Sequence, residues 1–378
     1  MVGIVLATRP NRERVRGEFQ TARPVTTSEN SAVGKMKIAQ VSPLAEPVPP
    51  IGYGGTERIV AYLSDELIRR GHAVTLFASG DSKTNGRLIA GSERALRLDS
   101  SIVDPQAHET FQLAQVLQEA DTFDIIHFHT GYSHFPIFRG HKTPGVTTFH
   151  GRLDIPDLKE LFSEFADVPV VSISNSQRQP FPKMNWQGTV YHGLPLDLYK
   201  PGDGRGNYLA FLGRICPEKR VDRAIKIAQR AEMKIKIAAK IDNADREYME
   251  TKIEPLLDHQ LVEFVGEVDR AAKQKLLGDA YALLFPIDWP EPFGLVMVES
   301  MACGTPVVAY RAGSVPEVID PGLTGFIVES VDQSVEALKK IQSLDRRLCR
   351  EVFERRFSSG RMAVDYLKIY EKMLTVPR

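Results

Sequence analysis

From Met36 onward, short apolar runs alternate with longer segments in which apolar residues recur every three to four positions. The runs KIAQVSP, AVTLFAS, DIIHFHT, GVTTFHG, VPVVSIS and GTVYHG predict strands buried on both sides. Between several of them lie amphipathic stretches such as GTERIVAYLSDELIRRGH, where Arg69, Arg70 and then Gly71 make a helix stop. This alternation predicts a parallel sheet with helices on both faces.

A second series follows: NYLAFLGRI, KIKIAAK, LVEFVGE, YALLFPI and TPVVAYR, again with helical segments between. The series are divided by GLPLDLYKPGDGRGN, which is rich in Gly, Pro and Asp and has no period, so it reads as a linker. Both series open with strand, glycine-containing loop, helix, turn and strand. The pattern therefore predicts an α/β chain of two doubly wound, Rossmann-like parallel-sheet domains facing a cleft. The first domain is placed at residues 36–195, the linker at 196–207 and the second domain at 208–358. In the closing SGRMAVDYLKIYEKML, the residues Met362, Val364, Leu367, Tyr370 and Leu374 form one stripe. That predicts a C-terminal helix over 359–378, packed on one domain or spanning both. Residues 1–35 are expected to form a mobile tail, since the arginines follow the short apolar patch, the wrong order for a secretory signal.

Composition narrows the function classes. The 378 residues are 43% hydrophobic and 25% charged, and 48 Lys plus Arg balance 48 Asp plus Glu. That balance gives no support for broad nucleic-acid binding, which needs a basic domain. Cys216, Cys303 and Cys349 are few, odd in number and widely spaced. They argue against a disulfide framework or zinc site and for a reducing, cytoplasmic setting. No apolar run reaches the ~18 residues of a membrane span, which leaves peripheral membrane contact open. A monomer and a homodimer both fit.

Sheets of this kind bind ligands beyond the C-terminal ends of their strands, so chemistry is sought in the loops there. In PPIGYGGTERIV, Gly52, Gly54 and Gly55 lie between the first strand and a helix, where bare backbone N–H groups can approach a phosphate. A plain tight turn explains them equally well. In YLAFLGRICPEKRVDRAI, Arg214 leaves the first strand of the second series and Lys219 lies five residues on. Two cations at a strand end suit a diphosphate. A solvated basic turn, with Arg220 and Arg223 following, is the plainer reading of that stretch alone.

The segment WPEPFGLVMVES holds Glu291 and Glu299, eight positions apart. Pro292 forces Glu291 to precede a helix and Glu299 to lie inside it. The backbone N–H groups of Phe293, Gly294 and Leu295 are then free at the helix start and attract an anion. Two carboxylates can hold vicinal hydroxyls of a sugar or ribose, or act as a hydrolytic pair about 5–10 Å apart. Helix capping by Glu291 and a solvent-facing Glu299 is the bland alternative. Ser314 reads as a cap for VPEVI with Glu317 in capping-box register. Histidines gather at His127, His129, His134, His141 and His150 without a zinc spacing, and His150 ends a strand just before Gly151.

Together, GYGGTE, TTFHG, GRICPEK, EPFGLVMVE and ESMACGTPVVAYRAGSVPEVI…GLTGFIV resemble the family 4 glycosyltransferases of the two-domain GT-B type, from about Lys37 onward. The resemblance implies retaining sugar transfer from a nucleotide-sugar donor, UDP- or GDP-linked, to an unidentified acceptor, with no metal and no cofactor. Arg214 and Lys219 match positions that hold the donor diphosphate, Glu291 the residue at the transferred sugar, and Glu299 the one at the ribose hydroxyls. Phe293, Gly294 and Leu295 match backbone contacts near sugar and phosphate. His150 matches the histidine beside the donor sugar, and Gly54 and Gly55 the loop near the phosphates. His192 and Pro195 in YHGLPLD depart from the family's usual Asn and Asp. GRLDIPDLKELFSEF and TGYSHFPIFRG are the acceptor-side loops to examine. A sugar phosphorylase, a nucleotide-sugar epimerase and a non-catalytic sugar-nucleotide binder are the competing functions.

Overall fold

The computed structural model describes residues 34–52 and 54–375. Residues 1–33 of the expected tail, and Tyr53 of the GYGGTE motif, lie outside the described residues.

The first half builds a seven-stranded parallel sheet in the order β3-β2-β1-β4-β5-β6-β7. Its strands are β1 (Lys37–Val41), β2 (Ala73–Ser79), β3 (Arg87–Ser92), β4 (Ile125–Phe128), β5 (Gly145–Thr148), β6 (Val170–Ser172) and β7 (Trp186–Thr189). The second half builds a six-stranded parallel sheet, β10-β9-β8-β11-β12-β13. It consists of β8 (Tyr208–Arg214), β9 (Lys234–Lys240), β10 (Val262–Gly266), β11 (Ala282–Phe285), β12 (Val307–Tyr310) and β13 (Gly325–Val328). The fold is the doubly wound pair that the pattern predicts.

The central strands are buried along nearly their whole length, which is why they read as continuous apolar runs. Ala39, Val41, Phe77, Ile126 and Phe128 form one core under the first sheet. Leu209, Phe211, Ile237, Leu284 and Val308 belong to a larger core under the second. The helix Gly55–Arg69 ends where expected: the His72 N–H reaches Leu67 O at 3.1 Å and the Gly71 N–H reaches Ile68 O at 2.8 Å. These two bonds satisfy carbonyls that the helix end would otherwise orphan.

Three expectations need correction. The sequence reading misses β3, an edge strand with exposed and half-buried positions over Arg87–Ala90, because it lacks a continuous apolar run. The run GTVYHG belongs to a strand ending at Thr189, so Tyr191 and His192 lie beyond it. In the last helix, Ser359–Thr375, the buried stripe is Met362, Ala363, Tyr366, Leu367, Ile369 and Tyr370, whereas Leu374 is exposed. That helix packs against the helix Gly55–Arg69 of the first half, so the chain's end returns to the domain where it began.

In each sheet the winding reverses at one point, between β1 and β4 and between β8 and β11. Loops leaving neighbouring parallel strands there emerge at one end and splay apart, and that leaves room for a ligand.

Candidate functional site

β8 and β11 pair in parallel through Leu209 with Ala282 and Ala210 with Leu283. The loops that follow them are therefore neighbours, and the Asp288 N–H joins them by donating to Glu218 O at 2.8 Å. This places Lys219 and Glu291 face to face. The Lys219 ammonium donates to Glu291 Oε2, and Trp289 Nε1 donates to the same oxygen at 3.1 Å. Lys219 Nζ also lies 5.0 Å from the Trp289 ring centroid and 5.5 Å from that of Phe285. A cation between two aromatic faces and one carboxylate is held in place and only partly hydrated.

The backbone around Glu291 is fixed by its neighbours. The Ser314 N–H donates to Glu291 O at 2.9 Å, and Ser314 Oγ donates to Phe293 O at 2.9 Å. Gly313 has φ +53°, and a Cβ there would lie 2.3 Å from both N and O of Glu291, so a side chain cannot be accommodated. Gly294, φ +77°, opens the helix Leu295–Ala302 in the left-handed region. No side chain caps that helix. Among the described residues, the N–H groups of Phe293, Gly294 and Leu295 have no acceptor in the protein. Glu291 is thus no cap; Ser314 does stand at the N-cap position of the helix Val315–Val318, but no side chain caps that helix, so the capping box with Glu317 fails. Glu317 instead reaches the first half, where its carboxylate accepts from the N–H groups of Asn175 and Ser176, each at 2.7 Å, and from Tyr191 Oη at 3.0 Å.

Arg214 leaves β8 at the same sheet end and pairs with Asp242 and Asp245, each at 3.4 Å. Glu299 is 5% exposed and accepts from Lys273 Nζ at 2.9 Å and Tyr199 Oη at 3.1 Å. It is therefore neither solvent-facing nor joined to Glu291. Arg58 and Tyr62, from the helix Gly55–Arg69, share its electrostatic neighbourhood. Sequence reasoning missed both, though each lies within two turns of the glycine loop. Arg220 and Arg223, which suggested a loose basic turn, are engaged with Asp222 and Asp288 and with Pro286 O.

The first half supplies the opposite wall. A Cβ at Gly55 would lie 3.8 Å from Leu295 Cδ1, so the glycine loop faces the glutamate helix closely. Gly54, φ +145°, precedes the helix as its cap position. His150, two residues beyond β5, stacks on His192 with centroids 5.2 Å apart, and His192 meets Phe293 at 4.9 Å. His192, the departure that put this loop in doubt, is a buried bridge between His150 and the start of the glutamate helix. Behind His150 runs a buried polar chain. His150 Nε2 lies 2.8 Å from His129 Nδ1, His129 Nε2 2.8 Å from Gln40 Oε1, and Gln40 Nε2 3.2 Å from Tyr370 Oη. Tyr370 Oη lies 2.7 Å from His127 Nδ1, and His127 Nε2 lies 2.7 Å from Thr148 Oγ1. Burial pushes His150 down to about 3 and holds His127, His129 and His192 well below the ordinary imidazole value. The site thus offers cations and bare N–H groups on one side and neutral imidazoles on the other.

Comparison with known proteins places the chain among glycosyltransferases. The family model "Glycosyl transferases group 1" matches residues 200–352, and that of "Glycosyltransferase Family 4" matches residues 53–187. An uncharacterized glycosyltransferase of Methanocaldococcus jannaschii is 26% identical over 346 residues, covering 78% of this chain and 85% of its own. Among solved structures, AviGT4, a glycosyltransferase involved in avilamycin A biosynthesis, superposes with a TM-score of 0.69 at 24% identity, over 90% of this chain and 98% of that one. Anabaena HepE in complex with UDP-glucose gives a TM-score of 0.67 at 18% identity, over 90% of this chain and 100% of its own. Among the described residues no helix is long and apolar enough to cross a membrane.

Proposed function

Starting from its membership of the family 4 glycosyltransferases, whose GT-B fold it shares, we propose that this enzyme is a retaining transferase. It moves a sugar from a UDP- or GDP-sugar to an acceptor hydroxyl. The observation that carries the reading is the Lys219–Glu291 pair at the switch point of the second sheet, beside unpartnered N–H groups at a helix start. Its first-half neighbours are Gly55, facing the glutamate helix, and His150, linked to it through His192.

In this reading the donor diphosphate lies against Arg214, Lys219 and the N–H groups of Gly294 and Leu295. Negative charge grows on the phosphate as the bond to the sugar C1 breaks, and these groups stabilise it where water is scarce. No metal is required for that charge balance. Glu291 then holds sugar hydroxyls while its charge is met by Lys219 and Trp289. The acceptor oxygen bonds to C1 on the face the phosphate leaves, and its proton passes to the departing phosphate oxygen. No side-chain nucleophile is needed. Neutral His150 lines the wall beside the sugar and adds no charge of its own.

The test is a panel of UDP-glucose, UDP-galactose, UDP-N-acetylglucosamine, GDP-mannose and ADP-glucose, scored for thermal stabilisation and slow donor hydrolysis. A UDP- or GDP-sugar should give both signals, and Lys219→Ala should abolish both. A panel in which no nucleotide sugar raises the melting temperature refutes the reading.

A further inference from the structure

The first half contains a hollow enclosing about 410 Å³ beside His150. It lies between the loops after β1, β4 and β5 and the helix Pro105–Glu119, and it takes in both segments singled out as acceptor-side loops. That volume falls in the range of small-molecule sites. His150 lines it and also stacks on His192, which touches Phe293, so the hollow adjoins the donor side of the cleft through one imidazole.

Its walls are mostly apolar. Leu44, Leu113, Phe149, Leu153, Leu158 and Phe162 are buried or half-buried along it, and Tyr132 and Ile155 stand at its mouth, 43% and 37% exposed. The charges at its edge are arranged unevenly. Glu109 and Asp157 contribute two carboxylates. Arg152 is the single Lys or Arg among the lining residues, and its charge is already paired with Asp154, to which Nε and Nη2 donate at 2.8 and 2.9 Å. His129 and His150 are neutral at ordinary pH because burial lowers both. An anionic ligand would enter a place with two acidic edges and no uncommitted cation among the described lining residues. Burying such a charge unpaired is costly. An apolar ring or chain would instead cover surface already lined with hydrocarbon.

We propose that this hollow receives the acceptor, and that the acceptor is an uncharged molecule carrying a hydroxyl on an apolar body: a glycoside with an aromatic or hydrocarbon aglycone, not a sugar phosphate or carboxylate. The inference rests on the glycosyltransferase reading for its word "acceptor", but the binding preference stands without it.

The experiment titrates the full chain calorimetrically with phenyl β-glycosides, methyl β-glycosides and 6-phosphates of glucose, galactose and mannose. In at least one sugar series the phenyl glycoside should bind about tenfold more tightly than the methyl glycoside, as burial of a ring implies. The phosphates should bind most weakly. Ile155→Ser should erase the phenyl advantage and leave donor hydrolysis unchanged. If no phenyl glycoside outbinds its methyl and phosphate counterparts, the proposal is wrong even where donor hydrolysis is observed. Loss of donor binding alongside an intact phenyl preference would instead refute the function proposed above.

Discussion

His150 Nε2 lies 2.8 Å from His129 Nδ1, and this contact ends a buried chain that starts on the last helix of the protein. With the Gln40 amide donating to Tyr370 Oη, the directions of the bonds follow in turn. Gln40 Oε1 accepts from His129 Nε2, so a neutral His129 accepts at Nδ1 from His150 Nε2. The lone pair of His150 is then on Nδ1, an atom with no partner among the described residues. The final helix thereby fixes which nitrogen of His150 carries its proton.

Tyr370→Phe removes the hydroxyl that serves both Gln40 and His127. All three side chains are fully buried, so water cannot replace it. A buried polar group left unmade costs roughly 1–3 kcal/mol, and two are left here. The variant should lose at least ~2 kcal/mol in urea unfolding with an unchanged m-value. Its His150 ring-nitrogen NMR shifts should move toward a tautomer mixture. Unfolding and nitrogen shifts that match the parent would show that the chain does not set the tautomer.

The Lys219–Glu291 pair separates function from stability. Lys219→Ala leaves a nearly buried carboxylate with Trp289 as its remaining side-chain partner. It should lower stability and reduce turnover by ~100-fold or more, as loss of a group aimed at developing charge does. Replacing both residues, as Lys219→Met with Glu291→Leu, removes the unpaired charge. Stability should return toward the parent while turnover stays lost. Double-mutant turnover near the parent's would place the chemistry elsewhere.

Acid should weaken the fold through its histidines. His134 and His150 are pushed down to about 3, and His127, His129 and His192 are also well below the ordinary value, each chiefly by burial. In the unfolded chain these imidazoles take up protons near pH 6.5, so the unfolded state binds more protons below that pH. Their contribution is complete above the unfolded value and is lost as pH falls from about 6.5 toward 3. Each adds a slope of up to ~1.4 kcal/mol per pH unit. The urea midpoint should therefore fall steeply from pH 7 to pH 5, and His134→Gln should flatten that fall by about one proton's worth. An equal slope in the variant would exclude His134 from the effect.

How far the sequence could be read depends on what each residue answers to. The paired sheets were legible because β1, β4, β11 and β12 are nearly all core, so burial alone dictates their composition. Edge strand β3 answers to water on its outer positions and gave no such signal. Glu291 could be singled out because Pro292, Phe293 and Gly294 impose a helix start beside a carboxylate in apolar company, whereas Lys219 on its own stretch read more plainly as part of a solvated basic turn. Their contact could not be read, because it depends on β8 and β11 being neighbours despite the β9 and β10 strands between them in sequence. The same applies to Tyr370 and Gln40, 330 positions apart, and to Glu317. A carboxylate three residues after a serine looks like a cap until the partner domain presents two backbone N–H groups.

Glu317 offers the clearest test of how the halves are tied. Its two oxygens accept separately from Asn175 N and Ser176 N, and Oε2 also accepts from Tyr191 Oη. Burial, then the Glu317 charge, pushes the Tyr191 hydroxyl up to about 12, so it stays a donor throughout the working range. Charge-assisted bonds of this kind are about twice as strong as neutral ones. Glu317→Ala therefore removes three hydrogen bonds across the domain boundary while sparing both sheets. The amides of Asn175 and Ser176 should exchange with solvent at least ~10-fold faster, whereas those of β4 and β11 keep their protection, since local opening costs less than global unfolding. Uniformly faster exchange would mean that Glu317 supports the whole fold, and unchanged exchange at residues 175 and 176 would mean that it ties nothing.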